Sequence, residues 1–435
     1  MQKLKFIMLF IILACLSLAG CSKSDTKVDA NRIIKSSATI VSEKLEEDKN
    51  ADAFTLTVWN SSIDKKYIEK LFKEIYPKAK VNVINVDWAD SDKIIKVLAS
   101  SDAPDVVINY SEKFGNLNAL DGFEDLLQSK YNFEDIKSIF SKRELDESMS
   151  FDGKKLIALP FTAAPMVTYY RSDILEKYGM PTDPNELGDF MEKPEGWLAI
   201  AKSLKKDDKW ALQWKDEFVY LAVKESGYFD KDMKLKVDDE KVKNAVKIAK
   251  ETDDLGLIGN YNIDTEEGKK AVREGKIAML YLNKYGEDSI KMFAPETAGK
   301  WRATRLPLGM YSYSSTNNIS ITSSSKYKMQ GWVLVKKLIE EDRNYYASIR
   351  NQENEFLGGQ KSKLLYENLI SKLPRRYPTM LDDKVYSIFN ESTKNYLNSN
   401  IAVENILDST KLKINNSIYH EQKALSVYIK ENRKH

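Results

Sequence analysis

The chain has 435 residues, too long for one ordinary core, so two or three domains are expected. With 42% hydrophobic and 30% charged residues it is globular, and a formal net charge of +2 gives no electrostatic case for a nucleic-acid protein. The two histidines, His420 and His435, lie near the C-terminus, and the two cysteines, Cys15 and Cys21, lie near the N-terminus. This distribution argues against His-rich metal sites, His-based catalysis and a disulfide framework.

The N-terminus carries Lys3 and Lys5, then an apolar run from Phe6 to Ala19. A basic start before a short apolar stretch is an export signal, and the run is too short to span a bilayer. Its end, Leu18-Ala19-Gly20-Cys21, resembles the lipobox of bacterial lipoproteins. That resemblance implies a signal peptide over 1–20 and a lipid on the Cys21 thiol. It also implies a formally neutral mature chain anchored to the extracytoplasmic face of the cell membrane. Residues 21–52 are polar and read as a tether.

The ordered part is expected to begin near Phe54. Residues 54–59 are strand-like, and Asn60-Ser61-Ser62 breaks the run. A helix follows with Tyr67, Ile68, Leu71, Phe72 and Ile75 on one face, and Ser61 and Asp64 fit a capping box at its start. Strand 81–86, helix 91–98 and strand 105–109 complete a β-α-β-α-β order, which implies a parallel sheet. Residues 123–140 read as mostly helical, with a turn at 151–153. Strands are expected at 156–159 and 166–170, around Pro160-Phe161. Helices are expected at 172–178, 196–204, 218–226, 239–253 and 265–274, strands at 277–281, 301–306 and 318–322, and helices from there to the end.

No nucleophile has a histidine or thiol base in reach, and G-x-S-x-G, HExxH, Walker A and GxGxxG are all missing from the sequence. No cofactor or metal is expected. Paired carboxylates remain open to a sequence reading. What the sequence offers instead is aromatic residues beside polar ones at strand ends, where open parallel sheets bind ligands. Trp59, Asn60, Ser61 and Ser62 end the first strand, Trp88 follows the second, Asn109 and Tyr110 end the third, and Asn283 and Tyr285 follow a later one. Such rings stack on sugar C–H faces while the amides and hydroxyls bond sugar hydroxyls.

Several segments, in order, resemble extracellular solute-binding proteins of family 1, the receptor lipoproteins of ABC importers. They are Ala103-Pro-Asp-Val-Val107, Asp152-Gly-Lys-Lys-Leu-Ile-Ala-Leu-Pro160, Thr168-Tyr-Tyr-Arg-Ser-Asp-Ile-Leu175, Glu274-Gly-Lys-Ile-Ala-Met279 and Arg302 to Gly309. The resemblance implies a two-lobed α/β fold of the type II periplasmic-binding-protein kind, with a ligand cleft between the lobes. Lobe 1 would hold 53–162 and 316–373, and lobe 2 would hold 163–315 and 374–435. Crossings would lie near 161–165, 314–318 and 373–378. By position it adds Trp214 to the ligand-binding residues, and it leads us to expect Trp59 and Tyr285 on opposite sides of one ligand.

The function so implied is capture of a solute, with a mono- or oligosaccharide favoured, and delivery to a membrane permease by a monomer without enzymatic activity. Two alternatives stand beside it: a ligand sensor or scaffold lipoprotein without a transport role, and a surface glycan-cleaving enzyme using two carboxylates.

Overall fold

In the segment Thr55–Asn60, Leu56, Val58 and Asn60 are buried while the intervening side chains are more exposed, which is the two-residue period of a strand, β1. The computed structural model describes residues 53–88, 91–397, 399 and 401–432. The signal segment, Cys21 and the tether lie outside the described residues.

β1 runs parallel to both β2 (Lys80–Asn85) and β3 (Val106–Tyr110). The intervening helices span Lys65–Ile75 and Ser91–Leu98, giving the expected β-α-β-α-β order. The first of these buries Ile68, Leu71 and Phe72. Its start differs from the expected capping box. Asn60 Oδ1 accepts the N–H groups of Ser62 and Ile63, which closes a turn, and Asp64 then caps the helix through Lys66 N. Residues 123–140 also depart from the expected helix. They form a short 3-10 turn at Ser129–Tyr131 and a helix limited to Glu134–Lys137, separated by Asn132 in the left-handed region at φ 44°. Phe123, Leu126, Tyr131, Phe133 and Ile136 are nonetheless buried, so their spacing reflects packing against the sheet.

Four further strands complete the sheet: β4 (Leu159–Arg171), β5 (Met279–Asn283), β6 (Trp301–Thr304) and β7 (Tyr313–Ile321). The order is β2-β1-β3-β7-β4-β5, with β6 also on β4. Instead of the two expected strands around Pro160-Phe161, β4 is one strand of 13 residues. Its first part pairs antiparallel with β7, and its second part pairs with β5 and β6. Two irregularities interrupt its pairing with β7, between Pro160 and Ala163 and between Ala164 and Pro165. Through them a single strand passes from one half of the molecule to the other.

Two hydrophobic clusters flank the parallel strands. One joins Leu56, Val58, Phe72, Val106 and Ile108 to Trp332, Val335 and Leu338 of the Lys328–Ile349 helix. The other gathers Trp88, Ile94, Leu98, Val107 and Phe114. Around the second part of β4, alternate side chains feed two more clusters. Met166 and Tyr170 join Trp197 and Phe218, whereas Val167 and Tyr169 join Leu280 and Trp301. The result is an α/β fold of the periplasmic-binding-protein kind.

The assignment of 316–373 to one half is corrected in part. The Lys328–Ile349 helix packs beside β1 and β3, but Phe356, Leu357, Tyr366 and Leu369 are buried with the β5 and β6 residues. Two contacts draw this segment across. Gln360 accepts from Ala303 N (2.8 Å) and donates to Ala303 O (2.7 Å), taking the place of a neighbouring strand. The buried Glu287 carboxylate accepts from Asn354, Lys363 and Tyr366. The chain has thus returned to the second half before 373, and 373–378 runs along the junction.

Gln360→Ala should leave the buried Ala303 N–H and C=O unpaired. A loss of about 1–3 kcal/mol is expected, measured by denaturant unfolding.

Candidate functional site

β3 ends at Tyr110 and turns directly into a short helix, Ser111–Phe114. Ser111 Oγ accepts from Thr316 N of β7 (3.1 Å), which fixes this turn at the junction. Gly115 then meets the backbone of Thr379 so closely that a Cβ there would lie 2.5 Å from the Thr379 carbonyl oxygen. Asn118 adds a bond to Pro378 O (3.0 Å). These contacts hold the end of β3 against the segment leading into the Asp382–Leu397 helix.

Between them opens a cleft of about 510 Å³. Ser111 and Glu112 of the first half face two helices of the second, Glu217–Ser226 and Asp382–Leu397, and Arg376, Tyr377 and Pro378 close one end. Residues 216, 219, 220, 223 and 227 line it from one direction, and 382, 386, 389, 390 and 393 from another. Both sets follow the three-to-four spacing of a single helix face. Three rings at the rim are exposed, Trp214 at 39%, Tyr220 at 41% and Tyr386 at 45%, while Tyr228 and Tyr377 are half-buried deeper in.

Ion pairs bridge the two sides. Lys224 Nζ lies 2.8 Å from Glu112, and Lys113 Nζ lies 2.8 Å from Asp383. Both are partly exposed, so each contributes about 0.2–1 kcal/mol, enough to bias closure of the halves but too little to lock it. At the closed end the Arg376 guanidinium lies 3.5 Å above the Tyr313 ring. The Tyr313 hydroxyl accepts from Arg143 (2.8 Å) and contacts Glu147 and Pro374 O.

Two carboxyl groups are shifted by burial. The carboxyl of Asp382 accepts from Thr379 Oγ1 (2.8 Å), yet removal from water pushes its pKa up to about 7. Beneath Trp214, burial raises Glu217 to about 8 despite its bonds from Gln213 N and Nε2. Tyr228 is raised as well, first by burial and then by the nearby Asp382.

Of the residues expected from sequence to bind ligand, Trp214 lines this cleft. Tyr110 is next to it, and its hydroxyl donates to Ser61 O (2.6 Å), while Ser61 Oγ donates to Ile108 O (3.0 Å). Ser62 is exposed at the same turn. Asn60, 2% exposed, uses its amide on Ile63 O and Asn85 Oδ1 and on the turn above. Asn109 is fully buried within the sheet, and Trp88 is 5% exposed in its cluster, with Trp59 half-buried against it. Asn60, Trp88 and Asn109 are thus buried and do not line the cleft.

Asn283 and Tyr285 meet elsewhere on the junction. Asn283 donates to Ser314 Oγ (3.1 Å) and accepts from Tyr285 N, and Lys284 between them lies 4.2 Å from the Tyr346 ring of the Lys328–Ile349 helix. Burial depresses the Lys284 ammonium and raises the nearby Asp342 carboxyl. Neither Trp59 nor Tyr285 lines the cleft. The sequence reading missed Glu112, Tyr220, Lys224, Tyr228, Arg376, Asp382 and Tyr386. The helix-face spacing of 216–227 and of 382–393 was visible, as was Arg375-Arg376-Tyr377-Pro378, but nothing in the sequence showed that these three segments converge.

An acid whose folded pKa is raised holds its proton when the unfolded chain has lost it, so stability falls as pH rises through that window. For Asp382 and Glu217 the window runs from the ordinary carboxyl range up to about 7 and 8. Asp382→Asn keeps an acceptor for Thr379. Its melting temperature relative to wild type should therefore rise more at pH 8 than at pH 5, which thermal melts at the two pH values will measure.

A family model for bacterial extracellular solute-binding proteins matches residues 58–344. No curated protein matches the chain. Among solved structures, the sugar-binding protein MalE from Xanthomonas citri is similar at TM-score 0.70 and 14% identity, covering 85% of this chain and 99% of that one. The galacto-N-biose-/lacto-N-biose I-binding protein of Bifidobacterium longum, in complex with lacto-N-biose, gives TM-score 0.65 at 15% identity, covering 85% and 98%. The Listeria monocytogenes substrate-binding protein Lmo0181, in complex with cycloalternan, gives 0.63 at 18%, covering 85% and 99%. At these identities the structures speak for a shared fold, and the family match extends over more than half of the sequence. The chain belongs to the bacterial extracellular solute-binding protein family.

Proposed function

We propose that this protein is the extracytoplasmic receptor of an ABC importer, that it holds a saccharide in the cleft between its halves, and that a lipid on Cys21 anchors it to the membrane. The observation that carries the reading is the cleft itself. Three exposed rings, Trp214, Tyr220 and Tyr386, stand beside hydroxyl and carboxyl groups on elements from both halves. Flat aromatic faces suit sugar C–H surfaces, and the polar groups between them suit sugar hydroxyls. The similar structures from B. longum and L. monocytogenes, with their sugar ligands, support a saccharide as the solute class.

A ligand touching Glu112 on one side and the Glu217–Ser226 helix on the other favours the closed arrangement by its differential affinity. Such binding needs no covalent step. The permease then distinguishes loaded from empty receptor by the closed surface. Trp59, Ser61, Ser62 and Tyr110, at the end of β1 and β3, belong to the same side of the junction as Ser111. We retain them as an outer part of the binding region.

Calorimetric titration with a panel of mono- and oligosaccharides tests the reading, and absence of binding across the panel would overturn it. Trp214→Ala should weaken the bound sugar by about 1–3 kcal/mol, roughly 5- to 150-fold. The melting temperature of the unliganded protein should change little, because that ring is already exposed. For the anchor, Cys21→Ala in the producing cell should abolish incorporation of labelled fatty acid and release the protein from the membrane fraction. Undiminished labelling would refute lipidation at Cys21.

A further inference from the structure

Among the described residues, Arg376 lines the cleft without a salt bridge, although its charge acts on the Asp382 carboxyl. Its guanidinium is stacked on Tyr313 at 3.5 Å, which fixes its plane, so that only the Nη1–Nη2 edge is left to donate. The side chain lines the cleft, and its one hydrogen bond is a long one, from NH2 to Ser111 Oγ at 3.5 Å. Its Nε is buried without a partner.

Four of the carboxylates nearby are otherwise engaged. Glu147 accepts the backbone N–H of Arg376 (2.9 Å) but gives its other oxygen to Arg143 (3.2 Å) and also contacts Tyr313. Glu112 is paired with Lys224, and Asp383 with Lys113. Asp382 lies on the next helix, bonded to Thr379 Oγ1, where burial raises its carboxyl to about 7 against the opposing charge of Arg376. Asp216 lines the cleft from the other helix. A partly buried guanidinium with no paired carboxylate is a place where a ligand can supply the anion.

Resting on the saccharide reading above, we propose that the solute is an anionic saccharide, and that Arg376 receives its charged group through the paired N–H donors of the guanidinium edge. A carboxylate, as in a uronic acid, and a sulfate ester share the paired oxygens that such a fork accepts. Tyr313 positions the fork, and the rings of Trp214, Tyr220 and Tyr386 hold the sugar units on either side.

The test is calorimetric titration of the mature chain with three sets of oligosaccharides. One set contains galacturonate, glucuronate and mannuronate oligomers. A second contains the same backbones with the carboxyl groups reduced to alcohols, and a third contains sulfated neutral oligomers. At least one anionic set should bind about tenfold or more tightly than its neutral counterpart, and added salt should weaken that set alone. Preference for the first set identifies a carboxylate, and preference for the third a sulfate ester. Arg376→Gln should erase the preference for the anionic set, and Arg376→Lys should keep part of it. Melting of the unliganded variants reports whether they fold, and the wild-type comparison decides the question even where they do not. Equal or tighter binding of the neutral set overturns the anionic assignment and leaves the saccharide reading standing. So does a preference that survives in folded Arg376→Gln. Failure of all three sets overturns both.

Discussion

The antiparallel pairing of β4 with β7 is the constraint from which the rest of the architecture follows. Both strands continue past the junction. β7 pairs with β3 on one side and β4 on the other, and β4 goes on to pair with β5 and β6. The two halves are therefore parts of one hydrogen-bonded sheet. Sliding them past each other would break ladder bonds, whereas bending across the ladder need not. The irregularities at Pro160–Ala163 and Ala164–Pro165 lie where such a bend is least costly, because Pro165 has no N–H to lose. A bend at this point would open or close the proposed cleft.

Charge at this junction is organised in two ways. Along the closed end, Arg143, Glu147 and Tyr313 form a satisfied network that also takes up the Arg376 backbone. Such groups hold the ends of three segments in register, and removing one member would strand its partners. Across the mouth, the pairs Glu112–Lys224 and Lys113–Asp383 are more exposed and correspondingly weaker. The satisfied network thus sits where the halves are joined, and the weaker exposed pairs lie across the mouth.

The fold was legible in the sequence to the extent that its elements are local. The Phe54–Trp59 run, the Tyr67–Ile75 face and the Asp105–Asn109 strand each contain their own period, and the structure has them nearly as expected. The misreadings share one cause, which is that a tertiary contact decided the outcome. Asn132 in a left-handed conformation breaks an apolar spacing that otherwise reads as helix. Pro160-Phe161 suggested two strands because nothing local shows that β7 pairs on both sides of it. For the site, strand ends in the first half drew attention to Trp59 and Asn109. The cleft relies instead on two helix faces of the second half, where Tyr220, Lys224 and Tyr386 resemble ordinary amphipathic surface until the helices are brought together.

Gln360 has a bearing beyond its own bonds. β6 pairs with β4 on one side, and its other side would present free N–H and C=O groups to any passing chain. The Gln360 amide occupies Ala303 at both positions, so an amide side chain closes the edge of the sheet. At the opposite edge β2 carries Lys80, Asn82 and Asn85, polar residues that disfavour a further strand. At the membrane surface proposed above, where local density is high, these edges bear on whether neighbours remain separate molecules or join into a continuous sheet.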